Sequence, residues 1–287
     1  MKLGLIGKGI ANSSSPDLHA RLGSLAGIDV SYDLFDVDAR PIASLEDKVR
    51  ALIDEGYRGV NVTYPFKEQA LALADDISVG ARRVGATNTL VFEGGRIVAD
   101  NTDFSGFMSG YRATLGERPP GRVLLVGTGG VGKAAAFAVA ELGATDVRLA
   151  DLDAARAEAL ASELRHAGFT ARAVDAATLG EQAAQCDGLI NCTPIGHEKS
   201  PGCPLDPSVL RPDHWIFDAV YVPAVTEFVA AARQAGAGVM SGVSLFVFQG
   251  VDAFKRFCED EHQRAAADEQ AASLFAHYRR ELLKENL

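Results

Sequence analysis

The sequence predicts an α/β protein built as two domains, and three observations carry that expectation. Strand-like and helix-like stretches alternate through residues 1–103. The same rhythm resumes after a linker-like loop, Gly116-Glu-Arg-Pro-Pro-Gly121. A glycine-rich run, Gly127-Thr-Gly-Gly-Val-Gly132, then separates a strand pattern from a helix pattern. Alternation of this kind implies mostly parallel sheets with helices on their faces. A chain of 287 residues can bury two cores. The expected boundaries are 1–103 plus 243–287 for one domain and 104–242 for the other, around a cleft. A hinge is expected near Asp103 and Gly242.

In the first stretch, residues 3–6, 30–35, 59–62 and 89–92 read as strands, being short, apolar and rich in β-branched or aromatic side chains. Residues 17–26, 42–54 and 67–74 read as helices from their apolar spacing. Glu93-Gly-Gly-Arg96 is a hairpin turn. Residues 103–115 form a helix that crosses to the second domain. There, 122–126, 146–150, 187–191 and 214–218 read as strands, and 133–142 and 154–167 as helices. From Ser244 two helices follow, broken near Asp260. The last, about 264–284, mixes charged and apolar positions and reads as amphipathic.

The glycine run sits where a dinucleotide would need it, after a strand and opening a helix. Gly127 permits a tight turn, Gly129 lets the backbone approach a pyrophosphate, and Gly132 lets helix pack closely on strand. Gly130 and Val131 complete the run, ahead of a helix whose start offers unpaired N–H groups to phosphate. Asp151 ends the second strand, 19 residues after Gly132. An acid there bonds the ribose hydroxyls of NAD and repels the extra phosphate of NADP. Asp153 follows, and Arg156 and Arg148 are the nearby bases. The expected cofactor is NAD, with NADP second. The plainer reading of the same glycines is a structural turn. Together these features give the βαβ rhythm of a Rossmann doubly wound domain.

Two polar runs in the first domain carry proton chemistry. Asn61-Val-Thr-Tyr-Pro-Phe-Lys67 follows one strand-like segment, and Asp100-Asn-Thr-Asp103 follows another. Open α/β sheets bind ligands at the carboxyl ends of their strands. A Lys and an Asp brought together there can handle a proton at an alcohol or ketone. Beside a dinucleotide site, that suggests hydride transfer.

Composition sets the limits. The net charge of −10 leaves no basic surface to neutralise phosphates, so no nucleic-acid partner is expected. Four cysteines lack metal-type spacing and read as reduced thiols of a cytoplasmic protein. No metal is expected, since no histidine or carboxylate cluster has ligand spacing. That also removes support for a metal hydrolase. No apolar run is long enough to span a bilayer, and the opening residues lack a leader pattern. A monomer or homodimer is expected.

Taken in order, Ser13-Ser-Ser15-Pro, Asn61-Val-Thr-Tyr-Pro-Phe-Lys67, Gly85-Ala-Thr-Asn88-Thr and Asn101-Thr-Asp103 resemble the shikimate/quinate dehydrogenase family. The glycine run, Asn191-Cys-Thr-Pro, Asp218-Ala-Val-Tyr221 and Gln249 extend the resemblance over nearly the full length. It implies reversible oxidation of a cyclic hydroxy acid. It assigns Lys67 and Asp103 as the catalytic pair, and Ser13 and Ser15 to the substrate carboxylate. Thr63, Asn88, Tyr221 and Gln249 would take the ring hydroxyls or the carboxylate. Thr193, Ala219 and Gly242 would join the glycine run, Asp151, Asp153 and Arg156 at the cofactor.

The residues alone support plainer roles. Ser15 before Pro16 is an ordinary helix N-cap. Lys67 is a helix-start lysine, Asp103 an N-cap and Tyr221 an interface aromatic. An ordinary lysine holds its proton well above neutrality, so which member of the pair is the base stays open. Ser14 stands where many relatives place lysine, Phe104 where they place glycine, and His197 where methionine is common. Ser241-Gly-Val-Ser244 replaces a more glycine-rich turn. Asp151-Leu-Asp153 is similar to the NAD-using, quinate-accepting branch. Two alternatives stay in view: a paralogue acting on a modified, for example aminated, ring acid, and an NAD(H)-binding sensor without turnover.

Overall fold

The computed structural model describes residues 1–284. The chain divides into two compact units, Met1–Gly106 with Val247–Leu274, and Phe107–Phe246 with the chain from Phe275 onward. The sequence reading placed all of 243–287 with the first domain. Residues 243–246 and those from Phe275 group with the second unit instead, 104–106 group with the first, and 285–287 lie outside the described residues.

The first unit runs β1 (Lys2–Gly7), α1 (Ser15–Leu25), β2 (Ser31–Asp36), α2 (Leu45–Asp54), β3 (Gly59–Val62), α3 (Lys67–Leu71), β4 (Asp76–Ile77), α4 (Val79–Val84), β5 (Thr89–Glu93) and β6 (Arg96–Asp100). Its sheet order is β2-β1-β3-β5-β6-β4. β5 alone opposes its neighbours, β3 and β6, and the other pairs are parallel. The carboxyl ends of β1, β2, β3 and β6 therefore lie along one edge of the sheet. The β5–β6 turn works because Gly94 and Gly95 both take positive φ, which the two-residue hairpin demands.

α2 shows why these elements form. The Ser44 side chain accepts from Asp47 N–H, and Glu46 and Asp47 suit the positive helix start. Leu45, Val49 and Leu52 share one face and pack on Ile6, Val60, Val62, Leu90 and Ala99 of the sheet. Each such buried side chain contributes roughly 1.5–3 kcal/mol. On the opposite face, Leu3 and Val91 pack against Ala253 and Phe257.

α5 (Thr102–Leu115) leads to the second unit: β7 (Arg122–Val126), α6 (Gly130–Glu141), β8 (Asp146–Ala150), α7 (Ala154–His166), β9 (Ala171–Ala173), α8 (Leu179–Ala184), β10 (Gly188–Asn191), β11 (Trp215–Asp218), α9 (Glu227–Gln234) and β12 (Gly238–Ser241). The order β12-β11-β10-β7-β8-β9 is parallel throughout. That is the doubly wound Rossmann order, whose direction switches between β7 and β10. Trp215 anchors the core, fully buried, with its indole N–H on Pro120 O at 3.0 Å and Tyr111 edge-on. α10 (Gly242–Phe257) and α11 (Glu261–Leu283) end the described chain.

The four cysteines are unbridged, and burial pushes the Cys186 and Cys258 thiols up to about 11. No described helix is long and apolar enough to cross a membrane. No cluster of metal-ligating side chains occurs among the described residues.

Candidate active site

Lys67 is the first residue of α3, reached from β3 through a turn closed by Phe66 N–H on Thr63 O at 2.9 Å. Asp103 is the second residue of α5, just past the end of β6. Both follow strands that end at the same sheet edge. The Lys67 ammonium donates to Asp103 Oδ2 at 2.5 Å, with the two side chains 12% and 7% exposed. Asp103 does not cap its helix. Asn101 does, its Oδ1 accepting from Phe104 N–H at 3.2 Å. Asp103 sits in the first turn, where the helix dipole favours a carboxylate. Its oxygens are thereby left for the lysine.

Asn88 stitches this edge together. Its Oδ1 accepts from Thr102 N–H at 2.7 Å and Thr89 Oγ1 at 3.0 Å. Its Nδ2 donates to Thr102 Oγ1 at 2.9 Å and to Gln249 Oε1 at 3.4 Å. Gln249 comes from α10, and glycine lets that helix approach. A Cβ on Gly106 would lie 2.5 Å from Gln249 N, and one on Gly250 would lie 2.4 Å from Leu18. Thr63 stands at the end of β3, close enough to β1 that a Cβ on Gly7 would collide with its methyl at 2.2 Å.

Ser13 and Ser15 open α1. Ser15 is not the cap: Ser14 holds that position, and no side-chain capping bond is made there. The Ser13 hydroxyl instead donates to Ser15 Oγ at 3.0 Å and accepts from Ser15 N–H at 3.2 Å. Two adjacent half-buried hydroxyls at a helix start suit an anion.

In the second unit, α6 begins at Gly130, not near Lys133 as the sequence suggested. Gly130, Val131 and Gly132 form its first turn, and the first intrahelical bond is Lys133 N–H on Gly129 O. Gly127 has φ +94° and abuts the backbone of Cys192 and Thr193. A Cβ on Gly132 would strike Gly127 O at 2.0 Å. Around Gly129 there is room, the Arg156 guanidinium being 3.9 Å from where a Cβ would stand. Each glycine thus does what a pyrophosphate loop asks of it.

Asp151 Oδ2 accepts from both Thr128 N–H and Thr128 Oγ1 at 2.7 Å, and Oδ1 from Asp153 N–H at 3.0 Å. Partial burial pushes this carboxyl up, but those bonds and Arg156 outweigh it and hold it below the usual range. It carries full charge at neutral pH. Asp153 caps α7 through Ala155 and Arg156 N–H. The residues present fit a dinucleotide.

The turns after β10 and β11 are held by Asn191 and buried Asp218. Asn191 Oδ1 accepts from Thr193 N–H and Oγ1, and its Nδ2 donates to Asp218 Oδ1 at 2.9 Å. Asp218 Oδ2 accepts from Thr226 Oγ1 at 2.5 Å, and burial pushes this carboxyl up. Ala219 N–H bonds Asn191 O, and a Cβ on Gly242 would lie 2.8 Å from Ala219 O. Tyr221 stacks on Phe246 with ring centroids 5.5 Å apart. His197 is a loop residue whose Nδ1 accepts from Lys199 N–H. Sequence reasoning gave no role to Asn101, Thr102, Asn191, Asp218 or Thr226. They act by holding backbone turns, and the available signal was only a polar residue at a strand end.

A family model for the shikimate dehydrogenase substrate-binding domain matches residues 5–90, and one for the C-terminal domain of alanine dehydrogenase/PNT matches 97–203. A shikimate dehydrogenase (NADP(+)) of Pseudarthrobacter chlorophenolicus is 39% identical, over 89% of this chain and 88% of that one. A quinate/shikimate dehydrogenase (NAD(+)) of Corynebacterium efficiens is 38% identical, over 89% and 92%. The quinate dehydrogenase of Corynebacterium glutamicum, solved in complex with NAD, superposes with a TM-score of 0.86 at 36% identity, covering 94% of this chain and 99% of that one. With that identity over nearly the whole length, and the two-unit fold described above, the chain belongs to the shikimate/quinate dehydrogenase family.

Proposed function

We propose that the protein catalyses reversible oxidation of shikimate, quinate or both to the 3-dehydro ketone, with NAD preferred. The observation that carries this reading is the shielded Lys67–Asp103 pair at the strand-end edge of the first unit. NAD, when bound, supplies the hydride acceptor. The glycine loop and the α6 N-terminus hold its phosphates, and charged Asp151 holds the ribose and disfavours a 2′-phosphate. Thr193, Ala219 and Gly242 shape the neighbouring turns.

Ser13 and Ser15 hold the substrate carboxylate. Thr63, Asn88, Gln249 and Tyr221 hold ring hydroxyls. Lys67 Nζ donates to the reacting oxygen and steadies the negative charge that develops there. The hydroxyl proton passes to the Lys67–Asp103 pair, and Asp103 keeps the ammonium aimed. The NADP-named and NAD-named relatives are about equally similar, so the NAD preference rests on Asp151.

The test is the absorbance of reduced nicotinamide with shikimate and quinate, each offered with NAD and NADP. Turnover with NAD and at least one acid is the expected result. Turnover with NADP alone would overturn the reading of Asp151. No turnover with any pair would overturn the proposed activity.

A further inference from the structure

Both sheets use one device at the same topological place. In the second unit, Asp151 follows β8 and grips the loop leaving the neighbouring parallel strand β7. In the first unit, Asp36 ends β2 and grips the loop leaving the neighbouring parallel strand β1, its Cα paired with Gly7. The grip there is the fuller one. Asp36 Oδ2 accepts from Ile10 N–H at 2.9 Å and Ala11 N–H at 3.1 Å. Oδ1 accepts from Gly9 N–H at 3.0 Å and Asp38 N–H at 3.1 Å.

Three successive N–H groups converging on one point form an anion-binding concavity. Gly9, with φ +68°, supplies the bend that turns them inward. In a nucleotide loop that place is left for phosphate. Here the chain's own carboxylate fills it, so the loop from Gly7 to Ser13 is wound around an internal anion. Burial raises the Asp36 carboxyl, but the four N–H donors outweigh it and hold it below the usual range, so the charge is permanent near neutrality. The next turn follows directly: Ser13 N–H bonds Ile10 O at 2.9 Å, and Ser13 Oγ then meets Ser15.

We infer that Asp36 is the positioning residue of the substrate-carboxylate site, setting the loop that aims the Ser13 and Ser15 hydroxyls. This rests on the proposed roles of those two serines. Asp36 itself touches no substrate. Its charge is neutralised by loop N–H groups, so it does not repel the incoming carboxylate as a free acid would. An amide of the same shape cannot do this, because its NH₂ would face N–H donors.

The test compares dissociation constants of the acid that turns over, shikimate or quinate, and of its methyl ester, by calorimetry on NADH-loaded protein, which cannot oxidise either ligand, for wild type, Ser13→Ala, Asp36→Asn and Asp36→Glu. Wild type should prefer the acid. Asp36→Asn should weaken acid binding by roughly tenfold or more, the scale of a lost charge-assisted bond, while ester binding changes little. The acid-over-ester preference should therefore collapse as in Ser13→Ala. Unchanged NAD affinity and far-UV circular dichroism verify folding, and Asp36→Glu, which keeps the charge but displaces it, should fall between. A merely structural role would weaken acid and ester alike. If Ser13→Ala abolishes the preference and both Asp36 variants keep it, the positioning role is overturned and the site stands. If wild type prefers neither ligand, the carboxylate assignment falls first and this inference with it.

Discussion

Lys67 and Asp103 lie 36 residues apart in sequence and meet at 2.5 Å, each at the start of a helix that follows a strand of the same sheet edge. Neither residue is there for its own helix. Asn101 caps α5, and Thr63 O closes the turn before α3. Shielding from water strengthens the pair and makes loss of one partner costly to the other. The two side chains should therefore behave as one unit.

Gly106 carries a packing prediction. Gly106→Ala would place a Cβ 2.5 Å from Gln249 N, against backbone that cannot swing away. Overpacking of this kind costs about 1–3 kcal/mol. Urea denaturation should show that loss. Substrate KM should rise with it, because α10 must retreat and carry Gln249 from Asn88.

His19 carries a pH prediction. It is fully buried against Tyr32, Phe254 and Phe257, and Nδ1 bonds Ser15 O. Burial pushes its pKa down to about 4, with the Ser15 carbonyl opposing. The unfolded chain takes up the proton near the ordinary value of about 6.5 and the folded chain does not until about 4. Stability is therefore full above the ordinary value and falls as pH drops through that window. The fall from this group is about 3 kcal/mol, levelling below the folded pKa. In His19→Asn that component of the pH–stability curve should vanish, as read from denaturant midpoints at several pH values.

Asp151 carries the cofactor prediction. On the proposed NAD preference, Asp151→Ser removes the charge that would disfavour a 2′-phosphate, together with the carboxylate acceptor for Thr128. The ratio of kcat/KM for NAD over NADP should drop by roughly tenfold or more, the scale of relieving a close like-charge contact. A ratio unchanged in this variant would place cofactor choice elsewhere.

Much of the fold is legible in the sequence. The strands at 59–62, 122–126 and 146–150 occur as expected, because short β-branched or leucine-rich runs bounded by turn residues have few other solutions. β4, with two residues, was too short to leave a pattern. α9 was passed over although Thr226 caps it, its eight residues being near the lower limit of helical periodicity. α6 starts earlier than expected because Gly130 and Gly132 read as loop by propensity. In the site, residue types were readable and their division of labour was not. Asp103 and Ser15 both looked like caps, and only tertiary structure shows Asn101 and Ser14 in those places. Asp36 gave no signal, since an acid at a strand end has meaning only once its neighbouring loop is known.

Whether Lys67 and Asp103 together handle the proton is read from kcat of Lys67→Ala with saturating acid and NAD. The expected loss is roughly 10²–10⁴-fold in kcat with KM changed far less, the scale of removing positioned acid–base catalysis. The Lys67→Ala, Asp103→Asn double variant should be little worse than either single one. A wild-type kcat in Lys67→Ala would rule out a proton role for the pair.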